Sequence, residues 1–414
     1  MSRIFTRRFN LERLVALAPR MSDDERRAAA VAGTAHALHD GYADLIYILL
    51  PLWQSEFGLS YAALGALRSA FVGAMAVWQI PAGLAADRFG ARGVLALGTA
   101  VAGLGYCCAG LSTGFAALFG ALVISGLGSS TQHPIASALV ARAFAGPRSL
   151  KALGSYNFVG DIGKMTLPAA LSLLLLATPW RPALACLGGI GIAVACGIYL
   201  FAPRSESGAA VKVASGVPAT HDTRGQPLAF FWLVAIGIID SATRMGFLLF
   251  LPFVLTEKGA NLQTVGLAMT MVFAGGAAGK LACAFIGARI GVIGTVWLTE
   301  GFTTAGILAL LPLPLPAALL LLPAIGVALN GTSSVLYGSV PDLVAPHWRT
   351  RALSVFYTGT IGSGAVAPLL FGRIGDLVGV WYAVMCVAGL VLLTLPIATF
   401  LRTALARPNG TGAA

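Results

Sequence analysis

The sequence predicts an all-α integral membrane protein of twelve transmembrane helices, built as two six-helix repeats in parallel orientation. Three observations carry that prediction: an apolar composition, twelve apolar runs of membrane-crossing length, and a repeat that lays the second half of the chain on the first. Of 414 residues, 57% are hydrophobic and 10% charged, whereas soluble globular chains carry about 25% charged residues. A helix needs about 20 mainly apolar residues to cross the hydrocarbon core, while a membrane barrel shows alternation over about ten. Uninterrupted runs therefore mean helices.

The runs occupy 29–53, 60–83, 93–111, 115–140, 151–177, 180–201, 229–254, 262–286, 291–311, 316–343, 352–372 and 379–401. Shifting the chain by 200 residues lays Asp40 on Asp240, Gly126 on Gly326, Lys151-Ala152-Leu153 on Arg351-Ala352-Leu353 and Pro168 on Pro368. With one residue of slippage, Leu50-Pro51-Leu52 meets Leu251-Pro252-Phe253. Six helices return a chain to its starting side, so the two copies share one orientation and are related by an axis along the membrane normal. The expected domains are a cytoplasmic N-terminal segment (1–28), a first bundle (29–202), a polar linker (203–227), a second bundle (228–403) and a cytoplasmic tail (404–414).

Orientation follows from the short loops, whose Lys and Arg favour the cytoplasm. With the N-terminus inside, twenty of the 27 basic residues fall on that side; Arg181, Lys258 and Arg373 fall outside, and Arg68, Lys164, Arg244 and Lys280 lie within spans. The net charge of +11 is thus mostly a topology signal and no argument for nucleic acid. Both termini are expected in the cytoplasm of a bacterial-type inner membrane. The charged first 30 residues do not read as a cleavable signal peptide. Ser22 followed by Glu25 fits a capping box at the start of the first helix. The six cysteines sit in apolar spans without metal-ligand spacing and read as packing residues.

Between spans 2 and 3 stands Gly83-Leu84-Ala85-Ala86-Asp87-Arg88-Phe89-Gly90-Ala91-Arg92. It resembles the G-x-x-x-D-R-x-G-x-R signature of the major facilitator superfamily, and the resemblance runs from about residue 29 to 403. The second half keeps only Gly287-Ala288-Arg289 of it. The segments LLPLWQSEFGLSYAALGAL (49–67) and GLGSSTQHP (126–134) are similar to the fosmidomycin-resistance group of efflux permeases. The departure is span 5, where Asp161 and Lys164 carry charges. The resemblance implies alternating access and a conformational gate at Asp87, Arg88 and Arg92, in which Asp87 helps lock the cytoplasmic ends of the two halves.

Ionisable groups within a bilayer are expensive and normally face a partner or a wet cavity. His36, Asp40 and Asp44 step along one face of helix 1 at i, i+4 and i+8, with His39 flanking and Tyr47 continuing the face. His36, His39, Asp40, Asp44 and Asp240 are the proton-coupling candidates. Asp40 is preferred because it holds the centre of the face and has its repeat partner in Asp240. A buried polar cluster that fixes packing, or a metal site completed from other helices, are the alternatives for the same residues. The substrate-binding candidates are Arg68, His133, Asn157, Asp161, Lys164, Arg244, Asn330 and Tyr337. His133 either joins the cavity or bonds a carbonyl freed near Pro134, and Asp161 and Lys164 either meet substrate or neutralise each other at i, i+3. Lys280 is expected to snorkel toward the cytoplasmic end, and Glu300, on a peripheral helix by resemblance, to serve packing.

There is no G-x-x-x-x-G-K-[ST] phosphate loop and no nucleophile motif or soluble catalytic domain, which argues against a primary pump and against an enzyme. No cofactor is called for; the expected partners are a small-molecule substrate, protons and lipid, with the protein a monomer. The expected function is proton-coupled export of a small organic molecule. Proton-coupled uptake of a small organic anion is the alternative, favoured by Arg68, Lys164 and Arg244, with divalent-metal export behind it. A reporter active only in the cytoplasm should work in the 203–227 segment and stay silent near Ser112-Thr113; the reverse result overturns the orientation.

Overall fold

A computed structural model describes residues 21–144, 146–203 and 226–406; the proposed N-terminal segment up to Arg20, most of the 203–227 linker and the tail from Arg407 lie outside the described residues. Among them, every regular element is a helix. The first half comprises α1 (Asp23–Phe57), α2 (Tyr61–Phe89), α3 (Ala91–Gly110), α4 (Phe115–Ala143), α5 (Pro147–Leu174) and α6 (Trp180–Phe201). The second comprises α7 (Pro227–Glu257), α8 (262–290), α9 (292–310), α10 (Leu315–Leu343), α11 (Arg349–Val378) and α12 (Val380–Arg402). Ten of these are long and apolar enough to cross a membrane. The other two, α1 and α5, are 35 and 28 residues long and are depressed in hydropathy by the charged side chains that prompted the functional reading.

Helix starts follow the local chemistry. Ser22 accepts a hydrogen bond from the Glu25 N–H while Glu25 accepts one from the Ser22 N–H, the expected capping box. Arg148 at the start of α5 joins the same carboxylate at 2.9 Å. The Ser22 N–H, with that guanidinium, holds the Glu25 carboxyl below its ordinary range. Two spans differ from the expected continuous runs: α4 breaks after Ser129 and resumes at Gln132, and α12 is interrupted at Leu393. The turn from α8 to α9 is made at Gly291, whose φ of 75° an L side chain rarely adopts.

Within the halves, α1 packs on α5, α3 on α6, α7 on α11 and α8 on α10; across the halves, α2 meets α11 and α5 meets α8. Adding six helices turns α2 into α8 and α5 into α11, so the two crossings are equivalent under the axis that relates the repeats. The α1–α5 approach depends on glycine: a Cβ on Gly163 would overlap the Ala37 carbonyl, and one on Gly160 would stand 2.7 Å from the His36 ring.

The halves touch at the end that carries the 58–60 turn. There the Asp376 carboxylate of α11 accepts from the Tyr61 N–H at 2.6 Å and the Ala62 N–H at 3.1 Å, capping α2 from the opposite half. Tyr61 packs edge-on against Phe250 and Phe253, Gln263 donates to the Ser172 carbonyl and Thr270 to the Met165 carbonyl. Toward the Pro203/Gln226 end the halves part, leaving Val77, Ile80 and Leu84 of α2 and Val355 and Tyr357 of α11 exposed.

A Cβ on Gly65 of α2 would overlap the Pro368 carbonyl of α11, a contact between halves. Gly65→Val should therefore bar closure at this end and shift the population toward the opposite state. Spin labels at Ser55 and Thr256 should report a longer distance in the variant than in the parent; an unchanged distribution rejects this contact as the seal.

Candidate functional site

The α1–α5 contact brings together residues 120 and more positions apart. His36 Nδ1 lies 3.0 Å from the Tyr156 carbonyl, which can only accept, so that nitrogen carries a hydrogen. Nε2 lies 3.3 Å from Asp40 Oδ2, a second acceptor, so a hydrogen belongs in that contact too, on the ring or on the carboxyl. Lys164 Nζ stands 3.3 Å from the same Asp40 oxygen and 3.9 Å from Asp161 Oδ1. The His36 ring stacks on Tyr156 at 4.1 Å, and His133 of α4 sets its ring edge-on to His36 at 5.3 Å and to His39 at 5.1 Å.

His133 therefore joins the cluster. His36, Asp40 and His133 place three ligand-type atoms within 4.8 Å of one another, the set a metal reading needs. The Lys164 ammonium on Asp40 would oppose a cation there. One turn deeper, Arg68 Nη2 meets Asp44 Oδ1 at 3.4 Å and its guanidinium lies over the Tyr47 ring at 4.9 Å. Its Nε and Nη1 are buried without partners. Tyr47 Oη donates to Met245 Sδ of α7 at 3.3 Å, so the Arg68 site abuts the second half.

In the second half, Arg244 Nη2 lies 3.9 Å from Asp240 Oδ2 and Nη1 3.4 Å from Asn330 Oδ1; its Nε is unpartnered. Tyr337, two turns from Asn330 on α10, pairs its ring with Tyr357 at 4.8 Å toward the open end. Asn157 is exposed one turn from Asp161 on the same side of α5. Asp87 and Arg88 are exposed at the open end, and Arg92 lies over the Tyr199 ring at 4.8 Å.

One sequence reading needs correction. Lys280 does not snorkel: its ammonium crosses to the first half and binds both oxygens of Asp161, at 2.6 and 2.8 Å. Asp161 is thus matched chiefly by Lys280 rather than by Lys164 at i, i+3. Glu300, expected to serve packing, is 1% exposed on α9 near Asp240. The Lys280 contact could not be found by periodicity, because it joins residues of different helices; a lysine within a span and without a sequence partner was the available signal.

A family model described as Major Facilitator Superfamily matches residues 32–322. The chain is 27% identical over 60% of its length to a probable L-galactonate transporter of Escherichia coli (strain K12), of which it spans 56%. It is 29% identical over 34% of its length to the fosmidomycin resistance protein of the same organism, of which it spans 34%. Its fold matches a bacterial homologue of the human lysosomal transporter Spinster in an inward-facing, occupied conformation, with a TM-score of 0.75, 16% identity, and coverage of 93% of this chain and 98% of that one.

The Lys280–Asp161 pair gives a direct stability test. Lys280→Met leaves a buried carboxylate unmatched, and Asp161→Asn in the same chain removes that charge. The double-variant cycle, read from melting of the purified protein, should show a coupling of roughly 0.5–3 kcal/mol. Additive effects of the two changes refute the pairing.

Proposed function

The chain belongs to the major facilitator superfamily, and we propose that it is a secondary transporter carrying a small organic anion together with a proton by alternating access. One observation carries the anion reading: at the cavity floor the cations face the opening and the carboxylates stand behind them. The side chains of Lys280, Lys164 and Arg244 are 35%, 29% and 19% exposed, against 10%, 10% and 3% for their partners Asp161, Asp40 and Asp240. An anion entering the cavity meets ammonium and guanidinium groups first.

The proton reading rests on His36 and Asp40. While Asp40 is ionised it competes with substrate for Lys164; once it is protonated, Lys164 is free to hold an anion. Proton and anion then bind together, which favours cotransport over the exchange of drug for proton that the sequence put first. The substrate named for the L-galactonate transporter, an organic anion, fits this lining. We place the Pro203/Gln226 end in the cytoplasm on the basic residues of its loops, which makes the described conformation inward-open in an inner membrane. Asp87, Arg88 and Arg92 then lie at the parted cytoplasmic gate, where Asp87 locks the halves in the opposite state.

In proteoliposomes, inward gradients of L-galactonate or fosmidomycin should each be tried with an internal pH dye. Cotransport predicts acidification of the interior as anion enters; alkalinisation restores the exchange reading. Asp40→Asn imitates the protonated form and should abolish transport driven by a proton gradient while sparing exchange of labelled for unlabelled substrate. Normal gradient-driven transport by the variant rejects Asp40 as the coupling group.

A further inference from the structure

Four ionisable side chains form an alternating row from the first half into the second. Asp40 of α1 meets Lys164 of α5 at 3.3 Å, and Lys164 stands 3.9 Å from Asp161 Oδ1 of its own helix. Lys280 of α8 then bonds both Asp161 oxygens, at 2.6 and 2.8 Å. Two ammonium groups thus share one carboxylate oxygen, one within bonding distance and one held back by Asp40. With both carboxylates ionised the row is neutral. Around Asp40 stand His36 and His39 of its own helix, Tyr156 of α5 and His133 of α4. Arg68 of α2 is held by Asp44, Arg244 of α7 by Asp240, and Arg181 of α6 by Glu56. Elsewhere α5 and α8 are joined by Gln263 on the Ser172 carbonyl and Thr270 on the Met165 carbonyl, bonds between neutral groups. The Lys280 contact is the one of these three that a change of charge nearby can weaken.

We propose that Lys164 carries the protonation of Asp40 to the contact between the halves. A proton on Asp40 removes its pull on Lys164, and the carboxylate left beside that ammonium is Asp161. An advance of about 1 Å brings the two to a charge-assisted hydrogen-bond length, and the flexible four-carbon stem of lysine allows it. Asp161 then holds two like charges on one carboxylate, and the row carries a surplus positive charge. Lys164 and Asp161 are three residues apart on one helix and cannot part, whereas Lys280 reaches across the seam with a side chain 35% exposed. Lys280 is therefore the partner that is shed, and α5 and α8 lose their charged bond. A monoanion taken up by Lys280 makes the row neutral again, so one proton and one negative charge travel together. That role in transport rests on the anion and proton reading above, but the switch itself needs no cargo.

The full chain is reconstituted in lipid nanodiscs at pH 8 without substrate, with spin labels at Ser55 and Thr256 reporting the end where the halves meet. The parent should show mainly the short distance. Asp40→Asn should raise the long-distance population, the one favoured by Gly65→Val, by about threefold or more. Asp40→Ser, neutral through a different side chain, should do the same, so a folding failure of one variant leaves the test in place. Adding Lys164→Gln to Asp40→Asn removes the messenger and should restore the parent distribution, while adding Lys164→Arg keeps the charge and should keep the long distance. Lys280→Gln should lengthen the distance by itself, and Asp40→Asn should add nothing to it. An unchanged distribution in both Asp40 variants overturns the proposal, and so does opening that survives Lys164→Gln. Uptake of L-galactonate with protons but no shift in the Asp40 variants leaves the anion reading standing and sinks the relay; the stated shifts with no anion transported do the reverse.

Discussion

A charge placed inside a bilayer must be answered within a few ångströms, and the interior of this protein is arranged around that requirement. Asp44 is answered by Arg68, Asp40 by His36 and Lys164, Asp161 by Lys280, and Asp240 by Arg244. Isolated, any of these groups would be expelled toward the interface; paired, they hold α1 to α2 and α5, α5 to α8, and the two turns of α7 to each other. The pairs are not of one kind. Asp40–Lys164 and Asp240–Arg244 lie within one half and persist whatever the halves do relative to each other. Asp161–Lys280 spans them, so its strength belongs to the conformational equilibrium and not only to stability.

The halves have diverged around a shared frame. Asp40 and Asp240 keep one position in the repeat, but at the next turn Asp44 faces its counterpart Arg244 with the opposite charge, and the place of Lys164 is taken by Gly364. The first half therefore answers its central carboxylate from a neighbouring helix and the second from the same helix one turn on. That asymmetry gives the cavity two unlike walls, one with the Lys164 ammonium and one with a planar guanidinium bonded to Asn330.

Much of the fold was legible because it follows from periodicities and lengths: apolar runs, the repeat, the capping box at Ser22 and the facing of His36, Asp40 and Asp44 on α1 are all local facts. What could not be read is which helix completes a site. His133 stayed undecided between two roles because its partners, His36 and His39, lie some 95 residues earlier in the chain. Lys280 was assigned to the wrong environment because length along a helix predicts depth but not the neighbour across a seam. Glu300 looked isolated for the same reason. The interruption of α4 near Ser130 was hidden because small polar residues are equally at home in a straight helix and a broken one.

The Asp376 carboxylate on the first N–H groups of α2 has a further consequence for how fast the protein can switch. When that end opens, both partners are at the rim, and water can take over the bonds each gives up, so rupture there is nearly neutral in free energy. In the Lys280–Asp161 pair at the cavity floor the ammonium faces the opening but the carboxylate is 10% exposed, so parting the two leaves a largely buried charge at a greater cost. The two contacts between halves thus behave as a latch that solvent lifts readily and a bolt that only a competing ion draws. Without a competing ion the protein should stay in the described conformation, and the tempo of its switching should be set by what replaces Asp161 on Lys280.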